Sequence, residues 1–176
     1  MKYTQVQLEE MLHSKAWPDR WAVARAGYGL DVLVRDEEAY VRAAVAEQGY
    51  GLDVLVNDID PVVRIAVALQ RYGLDKLMRD EDYMVRRAVA EQGYGLDVLI
   101  GDPESGVRKC VAMQGYGWDA LREDPDPMVR NYVALRLAER EAGHPEPEGV
   151  VDEVIADASS RSEEIVAYES AEYVME

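Results

Sequence analysis

The stretch "GYGLDVLVRDEEAYVRAAVAEQ" begins at Gly27, and the same phrase starts again at Gly49, Arg71, Gly93 and Gly115, a spacing of 22 residues with no insertion. A chain written this way is constrained before any other feature is considered. Each copy has the same apolar face to bury, and the surface that fits it best is the next copy, so the fold is an array of like units.

Each unit predicts two helices. "GLDVL" is long enough for one or two short turns, in part 3₁₀. A start signal follows, with Asp36, Asp58, Asp80, Asp102 and Asp124 expected as N-caps. Pro103 and Pro125 come next, at the expected first helical position. One residue further, Glu38, Asp60, Asp82, Glu104 and Asp126 are acidic, as the helix dipole favours. The second helix runs through "VRxAVAxQ" and stops at glycine. Arg71 replaces the first glycine of the turn, whereas Gly29, Gly51, Gly73, Gly95 and Gly117 are constant. The expectation is that only this second position requires φ > 0.

At 100° per residue, positions equivalent to Val41, Arg42, Val45 and Ala46 form one arc that barely varies. Valine recurs at 23, 45, 67, 89, 111 and 133, and alanine at 24, 46, 68, 90, 112 and 134. A small residue in every copy predicts close helix approach, so this arc is the buried side. At Leu137 the phase breaks, because "LAER" stands where "GYGL" is due. The expected organisation is an N-terminal cap over 1–18, tandem repeats over 19–136, and a C-terminal cap with an acidic tail over 137–176.

The string "DPDPMVRNYVA" (Asp124 to Ala134), with "DIDPVVRIAVA" and "DPESGVRKCVA", resembles the second-helix motif of HEAT-like repeats. The short period is similar to that of the leucine-rich repeat variant family, which pairs an α-helix with a short 3₁₀ helix. The resemblance covers about Asp19 to Arg136. It implies an all-α fold, a right-handed α-solenoid of short two-helix HEAT-like repeats, and a surface presented to another macromolecule. An iron–sulfur module of the kind known in a variant-repeat protein needs a cysteine cluster, and Cys110 is the only cysteine.

That single cysteine also excludes an internal disulfide and points to a reducing compartment, the cytoplasm. No apolar run approaches the roughly 20 residues of a membrane span, and the N-terminus lacks a secretory pattern. A formal charge of −16 disfavours direct nucleic-acid binding and suits a basic partner. The charge is uneven: from Glu141 onward 11 acidic residues face Arg161 alone. In this tail "VVDEVIAD" reads as a cap for the array, and "EEIVAYESAEYV" as either a helix or a flexible arm.

Four rows of side chains are candidates for function. The arginines Arg20, Arg42, Arg64, Arg86, Arg108 and Arg130 could ladder phosphates, but so many carboxylates within a turn favour an internal structural ladder. Tyr28, Tyr50, Tyr72, Tyr94 and Tyr116 could stack bases; glycine on both sides favours plugging the gap between repeats. Asp31, Asp53, Asp75, Asp97 and Asp119 add to the acidic surface that Asp60, Asp82, Glu104 and Asp126 begin; capping and salt bridging account for most of it.

The fourth row lies opposite the invariant arc, where the copies disagree: Tyr40, Val62, Met84 and Met128; Trp21, Ile65, Arg87 and Lys109; Leu69, Met113 and Leu135. Variation with retained apolar character fits a partner-binding groove, and methionine suits adaptable contacts. Cover by the short helix of the same repeat would explain it equally well. His13 and His144 lie outside the repeats in no metal or triad spacing, and "GYG" is a helix stop rather than a phosphate loop. The expected function is non-enzymatic binding of a basic protein, with no cofactor and no membrane. It extends to an acidic mimic that inhibits a nucleic-acid-handling protein. The alternatives are a HEAT-like enzyme such as a DNA glycosylase or bilin lyase, the former wanting a basic concave face, and a purely structural scaffold.

Overall fold

The computed structural model describes residues 3–142, and these are helical throughout, with no strand among them. The expected "VVDEVIAD" cap and the rest of the acidic tail lie outside the described residues. Two compact units are present, residues 3–73 and residues 74–142 among those described.

The first unit contains α1 (Gln5–Leu12), α2 (Trp17–Arg25), α3 (Leu30–Leu33), α4 (Ala39–Glu47), α5 (Leu52–Leu55) and α6 (Pro61–Leu69). Its longer helices pack in series, α1 on α2, α2 on α4 and α4 on α6, with α3 and α5 wedged at the joints. The second unit repeats the plan with α7 (Leu74–Leu77), α8 (Tyr83–Glu91), α9 (Leu96–Leu99), α10 (Ser105–Met113), α11 (Trp118–Leu121) and α12 (Pro127–Glu141). There α8 packs on α10 and α10 on α12, with α9 and α11 between them. The short elements are single α-turns of four residues rather than 3₁₀ segments.

The core follows the invariant rows. Val41, Val45, Val63, Val67, Val85, Val89, Val107, Val111, Val129 and Val133 are fully buried, as are Ala24, Ala46, Ala68, Ala90 and Ala112. Each short helix contributes one leucine, Leu33, Leu55, Leu77, Leu99 or Leu121, buried to within 3%. Burying a valine or leucine is worth about 1.5–3 kcal/mol, so one 22-residue copy contributes several such terms and depends on its neighbours for all of them. Ala134 departs from its row and is exposed, because no further long helix among the described residues lies on α12. Where the phase breaks at Leu137, α12 simply continues, reaching 15 residues instead of nine.

Three local expectations are corrected. The N-caps are Glu38, Asp60, Asp82, Glu104 and Asp126, two residues later than expected. Asp60 accepts from the N–H of Val62 at 2.9 Å, and Asp82 and Asp126 from those of Met84 and Met128 at 2.7 Å. Asp36, Asp58, Asp80, Asp102 and Asp124 instead accept the N–H two residues on, making a turn that delays the helix start. Pro103 and Pro125 therefore sit in that turn, and it is Pro61 and Pro127 that open helices.

The third correction is at the glycines. Both positions of "GYG" are left-handed: Gly49 has φ 72° and Gly51 has φ 64°, and Arg71 adopts φ 57° in place of the first. Gly49 is the C′ residue of a Schellman motif, its N–H bonded to the Ala46 carbonyl and that of Tyr50 to the Val45 carbonyl. What separates the two positions is space. A Cβ on Gly49 would meet nothing within 4 Å, whereas one on Gly51 would lie 2.6 Å from Cγ2 of Val34. Arg71 pays only the backbone strain; a side chain at the second position would also collide.

Candidate functional site

The arginine row forms one arrangement four times over. Arg42 donates from Nε to Oδ2 of Asp58 at 2.7 Å and from Nη2 to Oδ1 at 2.8 Å. Its Nη1 donates to the carbonyls of Asp36 and Glu37 at 2.7 and 3.0 Å. The guanidinium thus ties the turn before its own helix to the turn before the next one. The same pairing joins Arg20 to Asp36, Arg86 to Asp102 and Arg108 to Asp124. Arg64, buried, bonds the carbonyls of Asp58 and Ile59. Arg130 bonds those of Asp124 and Pro125. These groups are spent inside the fold and present no cationic ladder to a ligand.

Electrostatics follow the geometry. The bidentate bond from Arg108, with the N–H of Asp126 and the charge of Arg130, holds the Asp124 carboxyl below the usual carboxylate range against its burial. For Asp58 burial pushes upward, yet Arg42, the N–H of Asp60 and the charges of Arg42 and Arg64 together outweigh it and lower it. Burial raises the Cys110 thiol, helped by the charge of Glu91 and opposed by Arg87. Such a thiol is a packing group rather than a nucleophile at neutral pH. Among the described residues no group of three or more His, Cys, Asp or Glu could hold a metal ion.

The stripe opposite the ladder is left uncovered. None of its residues is buried, so the short helices do not close over it. In the first unit Val62 is 38% exposed, with Trp21, Tyr40, Ile65 and Leu69 half-buried. The Tyr40 ring stacks on Trp17 at 5.8 Å, and Arg25 lies 5.2 Å over Trp21. In the second unit Met84 is 41%, Leu135 57% and Met128 62% exposed, with Arg87, Lys109 and Met113 half-buried. Arg87 donates to Glu91 at 2.9 Å, which ties it to its own helix.

Acidic caps stand directly beside this stripe. Val62, Met84 and Met128 are the residues whose backbone N–H groups hold Asp60, Asp82 and Asp126. Each exposed apolar side chain therefore shares a helix first turn with a fixed carboxylate. Ser105 and the N–H groups of Met128 and Val129 lower the Asp126 carboxyl further, keeping it anionic. Glu104, also an N-cap, is exposed but makes no side-chain cap bond, and its next-but-one residue is Gly106.

The tyrosine row corrects an expectation. Tyr50, Tyr72, Tyr94 and Tyr116 are exposed rather than plugging gaps between copies, and Tyr28 is half-buried with its hydroxyl donating to Glu9. Sequence reasoning also missed Val32, Val54 and Val98, exposed on the short helices next to the exposed Asp31, Asp53 and Asp97. In "LDVL" a valine reads as core. The signal was present in the other copies, where Lys76 and Ala120 occupy the same register.

Compared with known proteins, the chain matches no family model, no curated protein and no solved structure. Among the described residues no helix is long and apolar enough to cross a membrane.

Proposed function

We propose that this protein binds another protein of basic surface, using the uncovered stripe together with the carboxylates beside it. The observation that carries this reading is the pairing at Asp60 with Val62, Asp82 with Met84, and Asp126 with Met128. An apolar anchor supplies affinity and slows dissociation, while an adjacent fixed negative charge steers a cationic partner and sets the association rate. The ladder arginines Arg42, Arg86 and Arg108 are paired inside the fold and do not offset the cap carboxylates beside the stripe. The partner class that fits is a protein with a cationic nucleic-acid-handling groove, which the acidic face would occupy as a mimic and inhibitor. The reading takes the array as a HEAT-like, variant-repeat solenoid acting in the cytoplasm, without catalysis.

The test has two arms once a partner is captured from the source cells. Met84→Ala should mainly speed dissociation, by roughly 1–2 kcal/mol. Asp82→Lys should mainly slow association and flatten its salt dependence. If both variants bind like the parent while removal of residues 143–176 abolishes binding, the stripe is not the interface and the acidic tail is.

A further inference from the structure

We infer that Arg130 is an open carboxylate-binding site on α12, where the second unit receives a helix of a partner protein that begins with an aspartate turn. The chemistry of the site is displayed four times inside this chain. Arg20, Arg42, Arg86 and Arg108 each donate from Nε to one oxygen of an aspartate at 2.6–2.7 Å and from Nη2 to the other at 2.8–2.9 Å. That aspartate stands in the turn ahead of the next long helix. Its Oδ1 also accepts the N–H two residues along, at 2.8–2.9 Å, so the fork reads a carboxylate already fixed at the head of a helix.

Arg130 has the same fork without the carboxylate. Its Nη1 donates to the carbonyls of Asp124 and Pro125, as that of Arg108 does to the carbonyls of Asp102 and Pro103. Only this one nitrogen is spent inside the fold. Among the described residues no carboxylate accepts from its Nε or Nη2. A half-buried guanidinium anchored before its ligand arrives loses little rotamer freedom on pairing, so the bidentate bond keeps most of its strength.

The surface beside the fork suits a helix. In the copies before it the pairing accompanies a long helix packed over an alanine: Ala90 and Ala112 have no exposed surface, with α10 on α8 and α12 on α10. Ala134 holds the same register on α12 and is exposed, as is Ala138 one turn on. The methyl groups let a backbone approach closely, and the fork sets where the incoming helix must begin.

The aspartate has to come from another protein. Asp36, Asp58, Asp102 and Asp124 are held by the chain's own arginines, and Asp80 is likewise engaged. A second copy stacked end to end would have to offer position 14, the same register at the other end, and Ser14 instead donates its hydroxyl to Asp19. Within this chain the aspartate register stops at 124, since position 146 is glutamate, one methylene longer. The partner that fits is a helical protein with an Asp-x-Asp or Asp-x-Glu turn at a helix start, the wording of the chain's own turns.

The test titrates the full chain with a fluorescein-labelled peptide copying residues 115–136, read by anisotropy. The parent peptide should bind at least about tenfold more tightly than its Asp124→Asn form, which keeps the shape and removes the charge. Against the Arg130→Ala chain the two peptides should bind alike, and against Ala134→Gln both should weaken with the preference kept. Equal binding of the two peptides to the parent chain overturns the inference, and this comparison leaves the protein itself unaltered. A preference that survives Arg130→Ala, or binding indifferent to Ala134→Gln, also overturns it. Peptide binding that appears only after removal of residues 143–176 makes the chain's own tail the occupant and overturns it. Self-association of the full chain that Arg130→Ala abolishes does the same, with a second copy as the occupant. Met84→Ala should leave every one of these readings unchanged, so this site stands or falls separately from the stripe.

Discussion

Two sides of the same nine-residue helix behave in opposite ways. On one side Arg86 reaches out of α8 to Asp102, with side-chain exposures of 12% and 3%. Two residues earlier, Met84 projects from the other side and is 41% exposed. The first side is nearly identical in every copy, whereas the second varies among them. Because a repeat must stack on its neighbour, whatever joins neighbours is fixed by the fold. The side that differs is held to no such fixed pairing, although single contacts such as Tyr40 on Trp17 do cross between copies. Repetition inside one chain thus separates structural residues from available ones without any relative for comparison.

The largest effect that sharpens this contrast is expected in the ladder. Arg108→Ala should cost about 3 kcal/mol or more in denaturant unfolding, because it strands Asp124, whose side chain is 2% exposed. Asp124→Ala should cost a similar amount. The double variant should lose clearly less than the sum, since the buried partner of each is then gone. Arg130→Ala, which removes only carbonyl bonds among the described residues, should cost about 1 kcal/mol. Equal losses at Arg108 and Arg130 would break the claim that the pairing across copies is what matters.

Next in size is the second glycine of the turn. Gly51→Ala combines a left-handed backbone with a Cβ 2.6 Å from Val34, and a loss of about 2–3 kcal/mol is expected. Gly49→Ala, with open space around it, should lose only about 1 kcal/mol. Thermal melts of the two variants side by side check the difference.

Acid gives an intermediate effect with a definite sign. Asp58 and Asp124 have folded values below their unfolded ones, so their contribution is present above the unfolded value of about 4 and is lost as pH falls from there through the lower folded values. Stability should therefore be flat from pH 7 to about 5 and drop below about 4. Asp124→Asn should shallow that drop. A profile that falls already between pH 7 and 6 would contradict it. Smallest of all, Arg71→Gly should raise stability by up to about 1 kcal/mol by relieving the one left-handed non-glycine among the described residues.

Most of the fold was legible because the repeat exposes it. Periodic valine and alanine gave the buried arc, and "GYG" gave the helix stops. The helix starts were misplaced by two residues for a physical reason. Asp58 and Asp60 are both good caps by residue type, and only the cross-copy bond from Arg42 decides which one is taken. Such a bond is invisible to local pattern. Tyr50 and Val54 mislead for the opposite reason, since an aromatic between glycines and a valine beside leucines look like core when taken singly, and only the Lys76 and Ala120 of the valine's register in other copies say otherwise. Ala134 could not be told from Ala112, because its exposure reflects that no further long helix among the described residues lies on α12. The stripe could be picked out as the varying side, but whether it would be covered depended on where the short helices settle, and they leave it uncovered.

The most direct test sets Met84→Ala beside Arg86→Ala and measures unfolding free energy by urea denaturation at pH 7. The two positions lie on one helix, two residues apart, so helix propensity and local context are nearly shared. Arg86→Ala should lose about 3 kcal/mol and Met84→Ala less than about 1 kcal/mol, both with an unchanged denaturant slope. Equal losses, or a larger loss at Met84, would mean that the stripe holds the fold together and is not free for a partner.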